Sequence, residues 1–124
     1  MAAESRMQEK MAQMAELTQI AVLGAGSWGT ALAVHLARTG HPTVLWGRDP
    51  AQMAALAAAR CNTRYLPMTP FPASLHVESD LARAVAAAQE LLLAVPSHGF
   101  RECLVHVAPL LRDSELDVQN QAVE

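Results

Sequence analysis

Lysine is almost missing from this chain. Of nine cationic side chains only Lys10 is a lysine, and the other eight are arginines. Any chemistry that needs a lysine beyond residue 10 is therefore excluded from these residues. Aromatic residues make up 4%, which excludes a core built on large rings. Two cysteines, Cys61 and Cys103, cannot build a disulfide framework, and the lack of a C-x-x-C pair removes a zinc knuckle. There is no run of 18 apolar residues, hence no membrane span, and the first 19 residues have no apolar stretch of the kind a signal peptide needs. A net charge of −3 leaves no basic footprint for nucleic acid. The expectation is a chain with free thiols in a reducing, cytoplasmic compartment.

What the sequence has is one domain's worth of small aliphatic residues. Its 124 residues are 52% hydrophobic and 17% charged, a balance that a disordered chain does not show. Alanine accounts for 24 of them, which suits helices packed closely on a sheet. Residues 1–19 are polar and methionine-rich and read as a frayed leader or an upstream start ahead of Met14, with a partner-binding helix as the alternative.

From Ile20 the pattern changes. Ile20-Ala21-Val22-Leu23 is a short apolar run ending in glycine, the mark of a buried parallel strand. Ser27 to Arg38 has helical periodicity, with Gly40 just past its end, and Thr43 to Trp46 is a second strand. Asp49-Pro50 is a helix start, with Asp as cap and Pro at the first position, and the helix runs to about Arg60. Residues 61–74, with Pro67, Pro70 and Pro72, are expected to be loop. Leu75-His76-Val77 is a strand, and Ser79 or Asp80 caps a helix from about Leu81 to Gln89. Leu91 to Val95 is a buried strand that Pro96 stops, and a fourth helix follows from Gly99 to Leu111. This alternation predicts an α/β, Rossmann-type, doubly wound and mainly parallel sheet. After Arg112 the chain turns acidic and polar. Residues 113–124 carry no evident strand, so the expectation is an incomplete domain over residues 20–112 followed by a tail outside the fold.

Gly24-Ala25-Gly26-Ser27-Trp28-Gly29 is a G-x-G-x-x-G between a strand and a helix, the context that makes this motif informative. Gly24 permits the tight turn, Gly26 lets a pyrophosphate approach the backbone, and Gly29 lets the helix pack on the strand. The helix N-terminus then offers unpaired N–H groups to the phosphates. At the end of the second strand, where an acidic residue would bind the ribose of NAD, Trp46 is followed by Gly47 and Arg48. Gly47 leaves room there, and Arg48 can pair with a 2′-phosphate, which points to NADP or to tolerance of both nucleotides. Asp49 is the rival ribose ligand, 20 residues after Gly29, and also the natural helix cap. Pro96-Ser97-His98 follows the fourth strand and lines the same cleft. A Ser-His nucleophile is not supported, since neighbours rarely aim at each other and no G-x-S-x-G is present. His35, His41, His76 and His106 have no metal-ligand spacing, and His35 reads as a core residue. No metal site and no catalytic residue are expected.

The segments Ile20 to Gly29 with Thr30-Ala31-Leu32-Ala33, Leu45-Trp46-Gly47-Arg48-Asp49, Asn62-Thr63-Arg64-Tyr65-Leu66-Pro67, Ser79-Asp80-Leu81 and Val95-Pro96-Ser97-His98 resemble, in order, bacterial NAD(P)-dependent glycerol-3-phosphate dehydrogenase. The resemblance covers Ile20 to Arg112. It implies reduction of dihydroxyacetone phosphate to sn-glycerol 3-phosphate by NADH or NADPH, for phospholipid synthesis. It implies cofactor contacts at Gly24, Gly26, Ser27, Trp28, Gly29, Arg48, Tyr65 and Pro96. Leu66-Pro67-Met68-Thr69-Pro70 departs from the family's loop. The family's T-K-G lysine and its helical domain with a catalytic lysine have no counterpart here, so the chain alone is expected to bind a nicotinamide dinucleotide without turnover. The small phosphorylated substrate belongs to the full-length relatives. The alternatives are a non-catalytic nucleotide-binding module and an unstable truncated remnant.

Overall fold

In the computed structural model, residues 19–111 and the backbone of Asp117–Asn120 are described. The expected leader, apart from Gln19, lies outside the described residues. Five parallel strands form one sheet in the order β5-β2-β1-β6-β7. They are β1 (Ile20–Leu23), β2 (Thr43–Trp46), β5 (Leu75–Glu78), β6 (Glu90–Leu93) and β7 (Asp117–Asn120). The helices α1 (Ser27–Arg38), α2 (Pro50–Ala59), α3 (Leu81–Ala87) and α4 (Ser97–Val107) connect them, and a 3₁₀ turn at Ala108–Leu111 follows α4.

The alternation of side chains along β1 assigns the two faces. Ile20 and Val22 join Val34, Leu45, Met53, Leu56 and Leu75 in one core under α1 and α2. Ala21 and Leu23 join Val44, Val85, Leu91, Leu93 and Val107 in a second core under α3 and α4. Helices on both faces of a parallel sheet make the expected doubly wound architecture, and burial on both faces explains why these strands read as continuous apolar runs.

Three expectations are corrected. Residues 61–74 are not all loop. Cys61–Asn62 (β3) and Leu66–Pro70 (β4) pair antiparallel as a small separate ladder. Pro67 and Pro70 are tolerated because a two-stranded ladder has free edges where a missing N–H costs nothing. Arg60, left-handed at φ 54, turns the chain out of α2. Its backbone carbonyl accepts from Phe71 N at 2.7 Å, and its Nη2 donates to Pro72 O at 2.8 Å. Those bonds close the base of the excursion.

The second correction is at the end of the chain. Asp117–Asn120 is a strand, parallel to β6 in the register Glu90↔Asp117 to Leu93↔Asn120. The sheet therefore continues past Arg112. An edge strand is held by backbone pairing on one side and does not need the apolar run that marks a central strand, so its polar residues hid it. The third concerns His35, which is exposed on α1 and not part of the core. β6 also begins one residue early, at Glu90. Gln89 N donates to Gln19 O at 2.7 Å, and Gln19 N donates to Gln89 Oε1 at 3.0 Å.

Candidate functional site

The strand order reverses between β1 and β6. The chain winds outward from β1 to β2 and β5, then returns to place β6 on β1's other side. Loops leaving adjacent strands in opposite directions open a crevice at the sheet's carboxyl edge, where open α/β sheets bind ligands. A cleft of about 610 Å³ lies there. Gly24, Ala25 and Gly26 form its floor after β1. Trp46, Gly47, Arg48 and Gln52 line it after β2, and Tyr65 stands at the rim. The opposite wall comes from Val95 and Pro96 after β6 and from His98, Glu102, Cys103 and His106 along one side of α4.

The glycines divide the work of this corner. Gly24 has φ +124, a conformation that side chains rarely adopt, and a Cβ there would strike the Ala94 backbone, with the carbonyl carbon at 2.8 Å. A Cβ on Gly29 would run into the Gly24 carbonyl group and come within 3.2 Å of Ala94 Cβ. Its absence is what lets α1 start directly against the end of β1. Gly26 differs, because a Cβ there meets nothing within 4 Å. The space above Gly26 is the cleft itself.

Helix starts follow the same division. α2 and α3 carry side-chain caps. Asp49 Oδ1 accepts from Ala51 N at 3.0 Å and Gln52 N at 3.4 Å, and Asp80 Oδ1 accepts from Arg83 N at 3.2 Å. α1 and α4 begin at Gly26 and Pro96, both of which line the cleft, and neither has a side-chain cap. An uncapped helix N-terminus offers N–H groups and a partial positive charge to an anion.

Of the eight residues expected to contact a cofactor, Gly24, Gly26, Arg48, Tyr65 and Pro96 line the cleft. Ser27 and Trp28 are exposed in the first turn of α1, outside its lining, with Trp28 at 44% exposure, and Gly29 is buried beneath. Asp49 serves as the cap of α2. The room expected at Gly47 is not vacant: Met53 Sδ lies 2.5 Å from where a Cβ would stand, and Ala25 Cβ lies at 3.1 Å. Arg48 is exposed and makes no ion pair among the described residues.

Sequence reasoning missed several residues here. Gln52 and Leu81 reach the cleft from the first turns of α2 and α3. Trp46 is turned toward it with its Nε1 donating to Ser79 O at 3.1 Å. His98 lines the cleft with Pro96 as the sequence suggested, and helical spacing could have extended that wall along α4, since Glu102 and His106 follow His98 at every fourth residue. Cys103 shares that wall, and burial, with the nearby Glu102 carboxylate, pushes its thiol above its ordinary pKa. Asn62, which carried no signal beyond its motif, is 1% exposed and bonds to the glycine loop.

Comparisons with known proteins agree with this geometry. Residues 19–120 match the family described as NAD-dependent glycerol-3-phosphate dehydrogenase N-terminus. The chain is 59% identical over 99 residues to glycerol-3-phosphate dehydrogenase [NAD(P)+] of Aeromonas salmonicida, covering 80% of this chain and 30% of that protein. It is 57% identical over 91 residues to the enzyme of the same name from Escherichia coli O1:K1, covering 73% and 27%. The chain thus spans under a third of the length of these relatives. Among solved structures, the glycerol-3-phosphate dehydrogenase of Coxiella burnetii superposes with a TM-score of 0.75 at 38% identity, covering 83% of this chain and 32% of that one. The Plasmodium falciparum enzyme, at 22% identity and a TM-score of 0.73, shares the fold. By its sequence, its sheet order and its glycine corner, the chain belongs to the NAD-dependent glycerol-3-phosphate dehydrogenase family, whose N-terminal region it matches.

Proposed function

We propose that the cleft binds NADPH or NADH as the cofactor-binding portion of an sn-glycerol-3-phosphate dehydrogenase. The observation that carries this reading is Gly26, where a side chain would project into open cleft while Gly24 and Gly29 on either side are closed by backbone. The residues suit a dinucleotide. The pyrophosphate fits the uncapped start of α1, and the adenosine fits the side lined by Trp46, Arg48, Gln52 and Leu81. The nicotinamide half then lies toward Val95, Pro96 and α4. Ser27 and Trp28, in the first exposed turn of α1, stand beside the phosphates, and Tyr65 closes the rim.

When bound, the nicotinamide supplies a hydride for a carbonyl such as that of dihydroxyacetone phosphate. This chain's residues hold the dinucleotide and keep one side of it against the sheet. The lysine that the resemblance assigns to the reaction has no candidate among the described residues, and Lys10 precedes β1. These 124 residues are therefore expected to bind cofactor without turnover. No helix among the described residues is long and apolar enough to cross a membrane, and the free thiols of Cys61 and Cys103 suit the reducing cytoplasm.

Fluorescence titration of the full 124-residue chain with NADPH and NADH tests the binding, and an assay with dihydroxyacetone phosphate tests the turnover. Saturable binding without oxidation of NADPH is the expected result. Absence of binding in a cooperatively melting chain would overturn the reading. Arg48 is proposed to favour the 2′-phosphate. Arg48→Asp should shift the ratio of NADPH to NADH affinity toward NADH by roughly tenfold to a hundredfold, given about 1.5–3 kcal/mol for hydrogen bonds to charged groups. Unchanged relative affinities would remove the arginine from nucleotide discrimination.

A further inference from the structure

We propose that Asn62 is a positioning residue for pyrophosphate recognition, acting through the backbone of the glycine loop. The inference rests on the nucleotide reading above and adds to it how the loop is aimed. Asn62 sits in β3, in the excursion between α2 and β5, and is 1% exposed. Its side chain is nearly saturated. Nδ2 donates to Ala25 O at 3.1 Å and to Thr30 Oγ1 at 2.9 Å, while Oδ1 accepts from Tyr65 N at 3.3 Å. The orientation of the amide follows from its partners. A carbonyl oxygen can only accept and a backbone N–H can only donate, so the nitrogen faces Ala25 and the oxygen faces Tyr65.

The consequence comes from the peptide plane. The Ala25 carbonyl and the Gly26 N–H belong to one planar trans unit and point in opposite directions. By holding the Ala25 oxygen on the side of its own buried amide, Asn62 turns the Gly26 N–H to the opposite side of that peptide, and Gly26 itself lines the cleft. Rotation of that peptide would present a carbonyl oxygen to the anion in place of a donor. The second donor bond reaches Thr30, whose own N–H donates to Gly26 O at 3.0 Å, so the loop and the first turn of α1 are fixed together. The bond from Tyr65 N ties the rim residue to the same side chain. One buried amide therefore sets the loop, the helix start and the rim. Aspartate in its place would bring a bare carboxylate against the Ala25 carbonyl, and alanine would leave the Ala25 carbonyl and the Tyr65 N–H without this partner.

The test compares a ligand that has a pyrophosphate with one that lacks it. The full chain, Asn62→Ala and Asn62→Asp are titrated with NADPH and with adenosine 2′-monophosphate, and each is checked by thermal melt. NADPH affinity should fall tenfold or more in both variants, while affinity for the monophosphate changes less than twofold. A merely structural role would weaken both ligands alike, and that result overturns the proposal, as does unchanged NADPH affinity in a folded variant. If neither Asn62 variant folds, Thr30→Val is read instead. It removes one acceptor and keeps the shape, and should weaken NADPH about threefold while Thr30→Ser, which keeps the hydroxyl, restores binding. A folded Thr30→Val chain with unaltered NADPH affinity overturns the proposal. An unmutated chain that fails to bind NADPH removes the nucleotide reading, and the role of Asn62 with it. An unmutated chain that binds while its variants bind equally removes only the role of Asn62.

Discussion

Gly29→Ala is expected to lower the thermal midpoint of the chain by about 12 °C or more, corresponding to roughly 3 kcal/mol in a domain of this size. The added methyl would occupy the position of the Gly24 carbonyl group and lie 3.2 Å from Ala94 Cβ. Neither obstacle is a flexible side-chain end. Gly24 is itself held by its N–H to Trp46 O at 2.8 Å, and Ala94 by its N–H to Leu23 O at 2.8 Å. Relief requires α1 to move away from β1. That motion would open the core in which Ala33, Val34 and Ala37 of α1 pack on Val22 and Leu45. Ordinary helix propensity predicts the reverse sign, because alanine in a helix is favoured over glycine by about 1 kcal/mol. A melt followed by circular dichroism separates the two. An unchanged or raised midpoint would show that α1 is not held by this contact.

Much of this fold is written locally. Ile20 to Leu23 and Thr43 to Trp46 are found at their observed bounds because central parallel strands are apolar on both faces. Asp49-Pro50 marks the start of α2 because the cap and the fixed φ of proline are chemistry within two residues. What escapes the sequence depends on partners far along the chain. β7 exists through pairing with β6. The ladder of β3 and β4 is closed by Arg60 and Phe71. Asn62 matters through Ala25 and Thr30, which lie 37 and 32 residues away. Gly47 reads locally as room where a ribose-binding carboxylate would otherwise stand, yet Met53 from the next helix packs against that position. The site divides likewise: the glycine corner is contiguous and legible, whereas the α4 wall and the rim are assembled only by the crossover of the chain.

The division of capping between the helices carries the last prediction. Gly26→Asp should leave the fold as stable as before or raise its midpoint by about 2–6 °C, and should weaken NADPH more than about a hundredfold. Gly26 has φ −79 and ψ −167, extended backbone that any residue adopts, and no atom stands within 4 Å of its would-be Cβ. Aspartate is a good N-cap, better than glycine by a few tenths of a kcal/mol, and a negative charge at a helix N-terminus adds about 0.3–1 kcal/mol. α2 and α3 already use that device through Asp49 and Asp80. In α1 the same carboxylate would take the N–H groups proposed for the phosphates and set a like charge beside them. Two unit charges 4 Å apart repel by about 4 kcal/mol at a near-surface dielectric, which exceeds any gain in stability and accounts for the loss of affinity. Gly26→Asn separates bulk from charge, since asparagine caps as well but is neutral. It should weaken NADPH by about tenfold, leaving the remaining loss in the aspartate variant to repulsion that salt partly screens. Retention of NADPH affinity within threefold in a folded Gly26→Asp chain would mean that the dinucleotide does not cross the start of α1.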